Sequence, residues 1–286
     1  MALGCHSGIA RWKERLPITL ALAGNPNVGK SSVFNWLTGM GVTTANYPGK
    51  TVEVNLATTH FKDREIGIMD LPGTYALGSV SEDQWVARQA LLDADPDAVL
   101  VIVDATRLER NLYLPLQLLD LGLPVVVALN LIDEAWRRGL RIDHHRLSRL
   151  LGVPVVPTVA IRGQGLDQLV EMGCKAAQSH GLPLVTPRYG MDVEDAIGAL
   201  SDLLAKEGIA LPHGLPPRAV AVLLLEEDEE FLAWARALPE GERVLAKVAE
   251  VASSIALRHG EPAPLWIARE RHGLAGAIAA QVQRRV

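Results

Sequence analysis

Between residues 18 and 180, short apolar runs rich in β-branched residues alternate with amphipathic stretches, the pattern of a mostly parallel sheet with helices on both faces. The runs at 18–23, 66–69, 98–103, 124–129 and 153–156 predict buried strands. Segment 51–59 differs. Val52, Val54 and Leu56 alternate along it, and the turn around Lys62 and Asp63 predicts an antiparallel pairing with the strand that follows, at one edge of the sheet. Beyond Gly181 the pattern changes again, with Pro183, Pro187, Pro212, Pro216 and Pro217 punctuating stretches rich in Ala, Leu and Glu. These predict helices over 192–204, 218–238, 242–258 and 265–285. The expected organisation is an N-terminal extension (1–16), an α/β domain (17–182) and a smaller all-helical domain (183–286).

Composition adds exclusions. With 49% hydrophobic and 21% charged residues, the 286-residue chain is an ordinary globular one, and its net charge of −5 argues against nucleic acid as the main partner. Cys5 and Cys174 lie too far apart for a metal-ligand spacing and fit a reducing compartment, read as cytoplasm. The first sixteen residues lack a signal peptide's apolar run, and the apolar runs that stop at Asp104 and Asn130 fall short of the roughly 20 residues that cross a bilayer. Cys5-His6 is too sparse for a metal site, the acidic run Glu226-Glu227-Asp228-Glu229-Glu230 reads as a solvated face, and Trp85, Trp136, Trp234 and Trp266 read as packing.

The chemistry is concentrated in four short motifs and one threonine. Gly24-Asn25-Pro26-Asn27-Val28-Gly29-Lys30-Ser31 follows the first strand and opens a helix at Ser32. It has the spacing of a phosphate loop: glycines let backbone amides turn toward a β-phosphate, Lys30 reaches β and γ oxygens, and Ser31 offers a hydroxyl to Mg²⁺. The predicted fold is therefore a Ras-like P-loop NTPase. Asp70-Leu71-Pro72-Gly73 ends the strand 66–69, where Asp70 can meet Mg²⁺ through water and the Gly73 amide the γ-phosphate. Asn130-Leu131-Ile132-Asp133 follows the strand 124–129, where Asp133 can accept both the ring N–H and the exocyclic amine of guanine, a donor pair adenine lacks. Leu131 replaces the lysine usual at that position. Thr158-Val159-Ala160 supplies a backbone amide for the guanine carbonyl, ahead of the turn at Gly163 and Gly165, and Thr51 is the candidate to close over Mg²⁺ and the γ-phosphate.

Two positions bear on hydrolysis. Thr74 stands where Ras-like enzymes carry the glutamine that orients the attacking water, so charge must be neutralised otherwise. Arg64 and Arg88 are weak candidates by chain order. Asn27 can offer a side-chain oxygen to a monovalent cation beside the phosphates, or a hydrogen bond that stabilises the loop.

These motifs, with Asn46-Tyr47-Pro48-Gly49-Lys50-Thr51-Val52-Glu53 as the most diagnostic stretch, resemble the N-terminal cytosolic GTPase region of FeoB-type bacterial ferrous iron transporters. Segments 189–197 and 220–228 are similar to parts of the family's helical domain, described as slowing GDP release. The resemblance implies a slow GTPase using Mg²⁺, stimulated by K⁺ through Asn27, at the cytoplasmic face of the inner membrane. Its implied partner is a membrane-embedded iron-transport domain of the same protein. The tail 265–286 then either leads toward the first membrane span, with Arg284 and Arg285 near the membrane surface, or packs as a terminal helix on its own domain. Two other readings stand beside this one: a nucleotide-sensing switch without useful turnover, and a ribosome- or tRNA-associated GTPase, which the acidic balance disfavours. Oligomeric state is left open.

Overall fold

The computed structural model describes residues 13, 16–39, 42–46, 53–78, 81–178 and 186–286, with backbone alone for 42–46 and 53. Its strands are β1 (Thr19–Gly24), β2 (Val42–Asn46), β3 (Glu53–Phe61), β4 (Arg64–Asp70), β5 (Ala98–Asp104), β6 (Val125–Asn130), β7 (Leu140–Ile142), β8 (Val155–Pro157) and β9 (Gln283–Arg285). Seven of them form one sheet in the order β2-β3-β4-β1-β5-β6-β8, parallel from β4 to β8 and antiparallel at the β2-β3-β4 edge. Every residue of β1 and β6 is buried, as expected of central parallel strands covered on both faces. The expected antiparallel strand is β3, with Val54 and Leu56 inward; β2 is an edge strand whose polar Thr43 and Thr44 gave no apolar signal.

The helices are α1 (Lys30–Thr38), α2 (Glu82–Ala94), α3 (Leu108–Asn111), α4 (Tyr113–Asp120), α5 (Ile132–Arg137), α6 (His144–Leu151) and α7 (Leu166–Gln178), then α8 (Met191–Lys206), α9 (Pro217–Leu225), α10 (Glu229–Ala237), α11 (Gly241–His259) and α12 (Ala263–Val282). Two of these, α1 and α7, cover one face of the sheet, setting Val33, Phe34 and Val170 against Leu20, Leu22 and Leu100. On the other face the core beneath α2, α4 and α6 runs without a break into α8–α12, joining Val101 and Leu118 to Val193, Leu224 and Ile267. The helical module is therefore packed on the sheet domain rather than tethered to it.

Several expectations are corrected here. The helix expected over 218–238 is two helices. Glu227 takes a left-handed φ of 56°, and Asp228 caps α10 by accepting from the amides of Glu230 (3.1 Å) and Phe231 (3.3 Å). The helix expected over 265–285 ends at Val282, and β9 turns back to pair antiparallel with β7, so the second module is not wholly helical. The acidic run is not a solvated face. Glu226 accepts from Arg271 Nη1 at 2.7 Å, while Asp228 and Glu230 (2.6 Å) both receive Arg88 of α2. Arg88, considered above for catalysis, is thus buried in a structural ion cluster, and Arg64 begins β4 at the opposite end of the sheet from the loops that follow β1 and β6. Trp85, Trp234 and Trp266 pack against the core as expected, but Trp136 is 54% exposed.

The deepest polar contact between the modules is Arg271 of α12, fully buried, donating to Asp120 Oδ2 through Nη2 (2.8 Å) and Nε (3.1 Å) and to the Tyr189 hydroxyl (2.9 Å). Burial opposes the charge on Arg271, yet Glu226, Tyr189 and Asp120 outweigh it and hold its pKa well above the ordinary value. Arg271→Ala strands the Asp120 carboxylate in a dry interior. It is expected to lower stability by about 3–5 kcal/mol in urea unfolding. At the second cluster, the hydrogen bond from His213, followed by Gln89 and Arg88, outweighs burial and holds Glu230 at about 2. Because that value lies below the 4.5 of an unperturbed Glu, the stabilisation is complete above pH 4.5 and is lost as pH falls toward 2. Over that window, Tm of Glu230→Gln is expected to fall less steeply than that of the parent protein.

Candidate functional site

At the carboxyl edge of the parallel strands the chain leaves β1, β4, β6 and β8 into four loops that meet. The first, Asn25 to Gly29, carries left-handed residues at Asn27 (φ 66°) and Gly29 (φ 92°), and Gly29 precedes α1. Two constraints require glycine at 29: its φ, and the absence of room, since a Cβ would sit 2.4 Å from Asn130 Nδ2. The helix therefore begins with its free amides toward the loop, an arrangement suited to an anion. Asn25 Nδ2 is buried and has no hydrogen-bond partner, a donor that an anion or its escort could satisfy. Asn27 and Ser31 are exposed beside it.

Lys30 and Asp70 meet across this loop, with Nζ 2.5 Å from Oδ1 and both side chains largely buried. Gly73 brings the second loop against the first, because a Cβ on it would lie 3.4 Å from the Pro26 Cα, and the Thr74 amide donates to Gly24 O (3.1 Å). Thr74 itself turns inward: its hydroxyl donates to Ala76 O (2.6 Å) and is not directed at the loop. The third and fourth loops are held by Asn130, which is 1% exposed. Its amide donates to Val28 O (2.9 Å), while its Oδ1 accepts from the Ala160 amide (3.0 Å) and the Thr158 hydroxyl (3.2 Å). Leu131 follows in a left-handed conformation (φ 59°) and starts α5. Asp133, in its first turn, is partly exposed and pairs with Arg137 Nη2 at 2.9 Å, with Arg162 at 4.0 Å.

Of the residues singled out in the sequence, the structure brings together Gly24, Asn25, Pro26, Asn27, Val28, Gly29, Lys30, Ser31 and Ser32 with Asp70, Gly73, Asn130, Asp133, Thr158, Val159 and Ala160. Thr51, Tyr47 to Lys50, and Cys5-His6 lie outside the described residues. Three features went unread in the sequence. Trp36 of α1 presses its indole on Gly163, where a Cβ would be 2.4 Å from Nε1, Arg162 approaches Asp133, and Asn130 ties three loops rather than serving one. An exposed tryptophan on a helix carries no sequence signal of that contact.

Comparison with known proteins decides the family. Residues 18–172 match the model of ferrous iron transport protein B, and residues 189–284 match that of the FeoB cytosolic helical domain. The chain belongs to the FeoB family. Its relatives include a Porphyromonas gingivalis Fe(2+) transport protein A/Fe(2+) transporter FeoB fusion protein, 41% identical over 80% of this chain and 27% of that protein. The Fe(2+) transporter FeoB of Escherichia coli K12 is 44% identical over 53% of this chain and 20% of that one. The chain thus spans about a quarter of the length of such relatives. Among solved structures, a GDP-bound point mutant of the S. thermophilus FeoB G domain superposes with a TM-score of 0.83 at 33% identity, covering 93% of this chain and 100% of that one. The apo cytosolic domain of T. maritima FeoB gives 0.78 at 35% identity, covering 93% and 99%. The FeoB fold is thus that of a P-loop GTPase domain followed by a helical domain.

The Asn130 tie is testable. Asn130→Ala removes three hydrogen bonds, each worth about 1 kcal/mol net, and frees the Val28 and Ala160 loops. GDP affinity in a fluorescent-nucleotide titration is expected to fall at least about tenfold, with a Tm loss that extends to protein without nucleotide.

Proposed function

We propose that this chain is the nucleotide switch of a ferrous iron transporter, binding GTP and GDP and hydrolysing GTP slowly to regulate a membrane-embedded iron-transport part of the same protein. The observation that carries this reading is the convergence of Lys30, Asp70, Asn130 and Thr158 from four strand ends on the glycine-shaped loop that opens α1. The loop amides and Lys30 hold the phosphates, with Lys30 exchanging its Asp70 contact for the β and γ oxygens. The exposed Ser31 hydroxyl, Asp70 and, outside the described residues, Thr51 would hold Mg²⁺, which would supply charge neutralisation to the phosphates. Asp133 reads guanine, exchanging its Arg137 pairing for the two base donors, while the Ala160 loop presents an amide to the guanine carbonyl.

Slow turnover follows from what surrounds the loop. Thr74 is committed to Ala76, and Arg88 to Asp228 and Glu230, so neither orients water nor neutralises the developing charge. Asn27, exposed at its left-handed position, is the residue available to hold K⁺ against the phosphates. The same committed Thr74 also favours a second reading, a nucleotide-sensing switch without useful hydrolysis. GTP turnover at fixed ionic strength separates the two. We expect stimulation by K⁺ over Na⁺ that disappears in Asn27→Ala; equal rates in both salts would remove Asn27 from the mechanism and favour the sensing switch.

Base recognition has its own test. In Asp133→Asn the amide Oδ1 still accepts the ring N–H, but its NH₂ faces the guanine amine donor to donor. GDP binding is expected to weaken by about 100-fold or more. Xanthosine diphosphate, with a carbonyl in place of that amine, should bind the variant better than GDP, as read by competition titration.

A further inference from the structure

The ribbon formed by β7 and β9 carries an uncompensated charge. Arg141 and Arg284 are directly paired across its two strands, so their side chains leave the same face. That face is solvent-exposed, because the alternate residues Leu140 and Ile142 are the ones turned into the core. Arg146, at the start of α6, and exposed Trp136 complete a groove of about 630 Å³ with them. Arg146 reaches only the neutral Gln281 (3.1 Å), and Arg141 lies 5.8 Å from the Trp136 ring centre. Among the described residues no carboxylate pairs with Arg141, Arg146 or Arg284. The one acid in the groove, Asp143, is engaged at the α6 amino end, where it accepts the Arg146 amide (2.8 Å), a bond that holds its pKa below the usual carboxylate range. Like charges placed opposite each other cost stability, and among the described residues no ion pair offsets this one, Arg141 Nη1 donating to the neutral Trp136 O (3.4 Å).

We propose that this groove is a docking surface for the anionic phospholipid headgroups of a membrane. The inference rests on the reading that the chain is joined to a membrane-embedded part. Three observations favour lipid over other anions. Clustered arginines with an exposed tryptophan at the rim match the charge and the aromatic preference of a bilayer interface. Val286 donates its amide to Gly139 O (2.8 Å), which pins the last described residue beside the groove, so any continuation toward a membrane leaves from this site. A net charge of −5 opposes long nucleic acid over the rest of the surface, leaving this groove as a local exception.

The test is co-sedimentation of the 286-residue protein with vesicles of phosphatidylcholine alone or with about one third phosphatidylglycerol. Binding to the anionic vesicles only, released at about 0.5 M salt, is the expected result. Arg141→Gln/Arg284→Gln is expected to reduce partitioning about tenfold while leaving GDP affinity unchanged and Tm equal or higher. Arg236→Gln/Arg258→Gln, the same charge change on exposed positions of α10 and α11, should bind as the parent does. The proposal is overturned by equal binding to both vesicles or by none. It is also overturned if the groove variant still binds, or if inorganic phosphate or a single-stranded RNA oligonucleotide occupies the groove in preference to vesicles. Loss of GDP binding by the parent protein would instead strike the function on which the inference rests.

Discussion

The site depends on one buried amide. A parallel sheet delivers its loops to a common edge but does not tie them to one another, because each strand's hydrogen bonds end where the loop begins. Asn130 supplies the missing connection: one side chain donates to the phosphate-loop backbone and accepts from the loop after β8. The price in sequence freedom is visible at Gly29, where the amide occupies the space any Cβ would need. The Val28 and Ala160 loops are thus held at a fixed separation by one side chain that bonds to both.

The helical module is fixed by a different physics. A fully buried guanidinium is costly unless every nearby acceptor answers it, and Arg271 meets Asp120, Glu226 and the hydroxyls of Tyr189 and Tyr113 at once. Arg88 repeats the arrangement from the sheet domain toward Asp228 and Glu230. Each cluster takes its cation from one module and at least one acid from the other, so separating the modules would expose apolar core and strand charge together.

Much of this was legible in the sequence because parallel strands and phosphate loops announce themselves locally. The apolar runs ended within a residue or two of β1, β5 and β6, and the motif residues fell at the strand ends where they were expected. What escaped was determined by distant partners. The five acids at 226–230 look like a solvated helix face until Arg88, about 140 positions earlier, is folded against them. Gln283 to Arg285 continue a helical pattern and become a strand only because β7 presents an unpaired edge. Glu227 breaks a run of good helix formers because Asp228 satisfies the next helix's amides better than continuation would.

The two kinds of tie differ in strength, and that difference orders how the molecule can respond at its site. From Gly73 the chain runs to Leu77, whose amide donates to Gln117 of α4 (2.8 Å), and three residues on is Asp120, bound to Arg271. A displacement passed along this segment either breaks the neutral Leu77–Gln117 bond, at about 1 kcal/mol, or pulls apart a buried ionic cluster, at several times that. The first is the cheaper response. Strain arising between Gly73 and Leu77 is accordingly released at the Leu77–Gln117 bond before it loads the Asp120–Arg271 cluster.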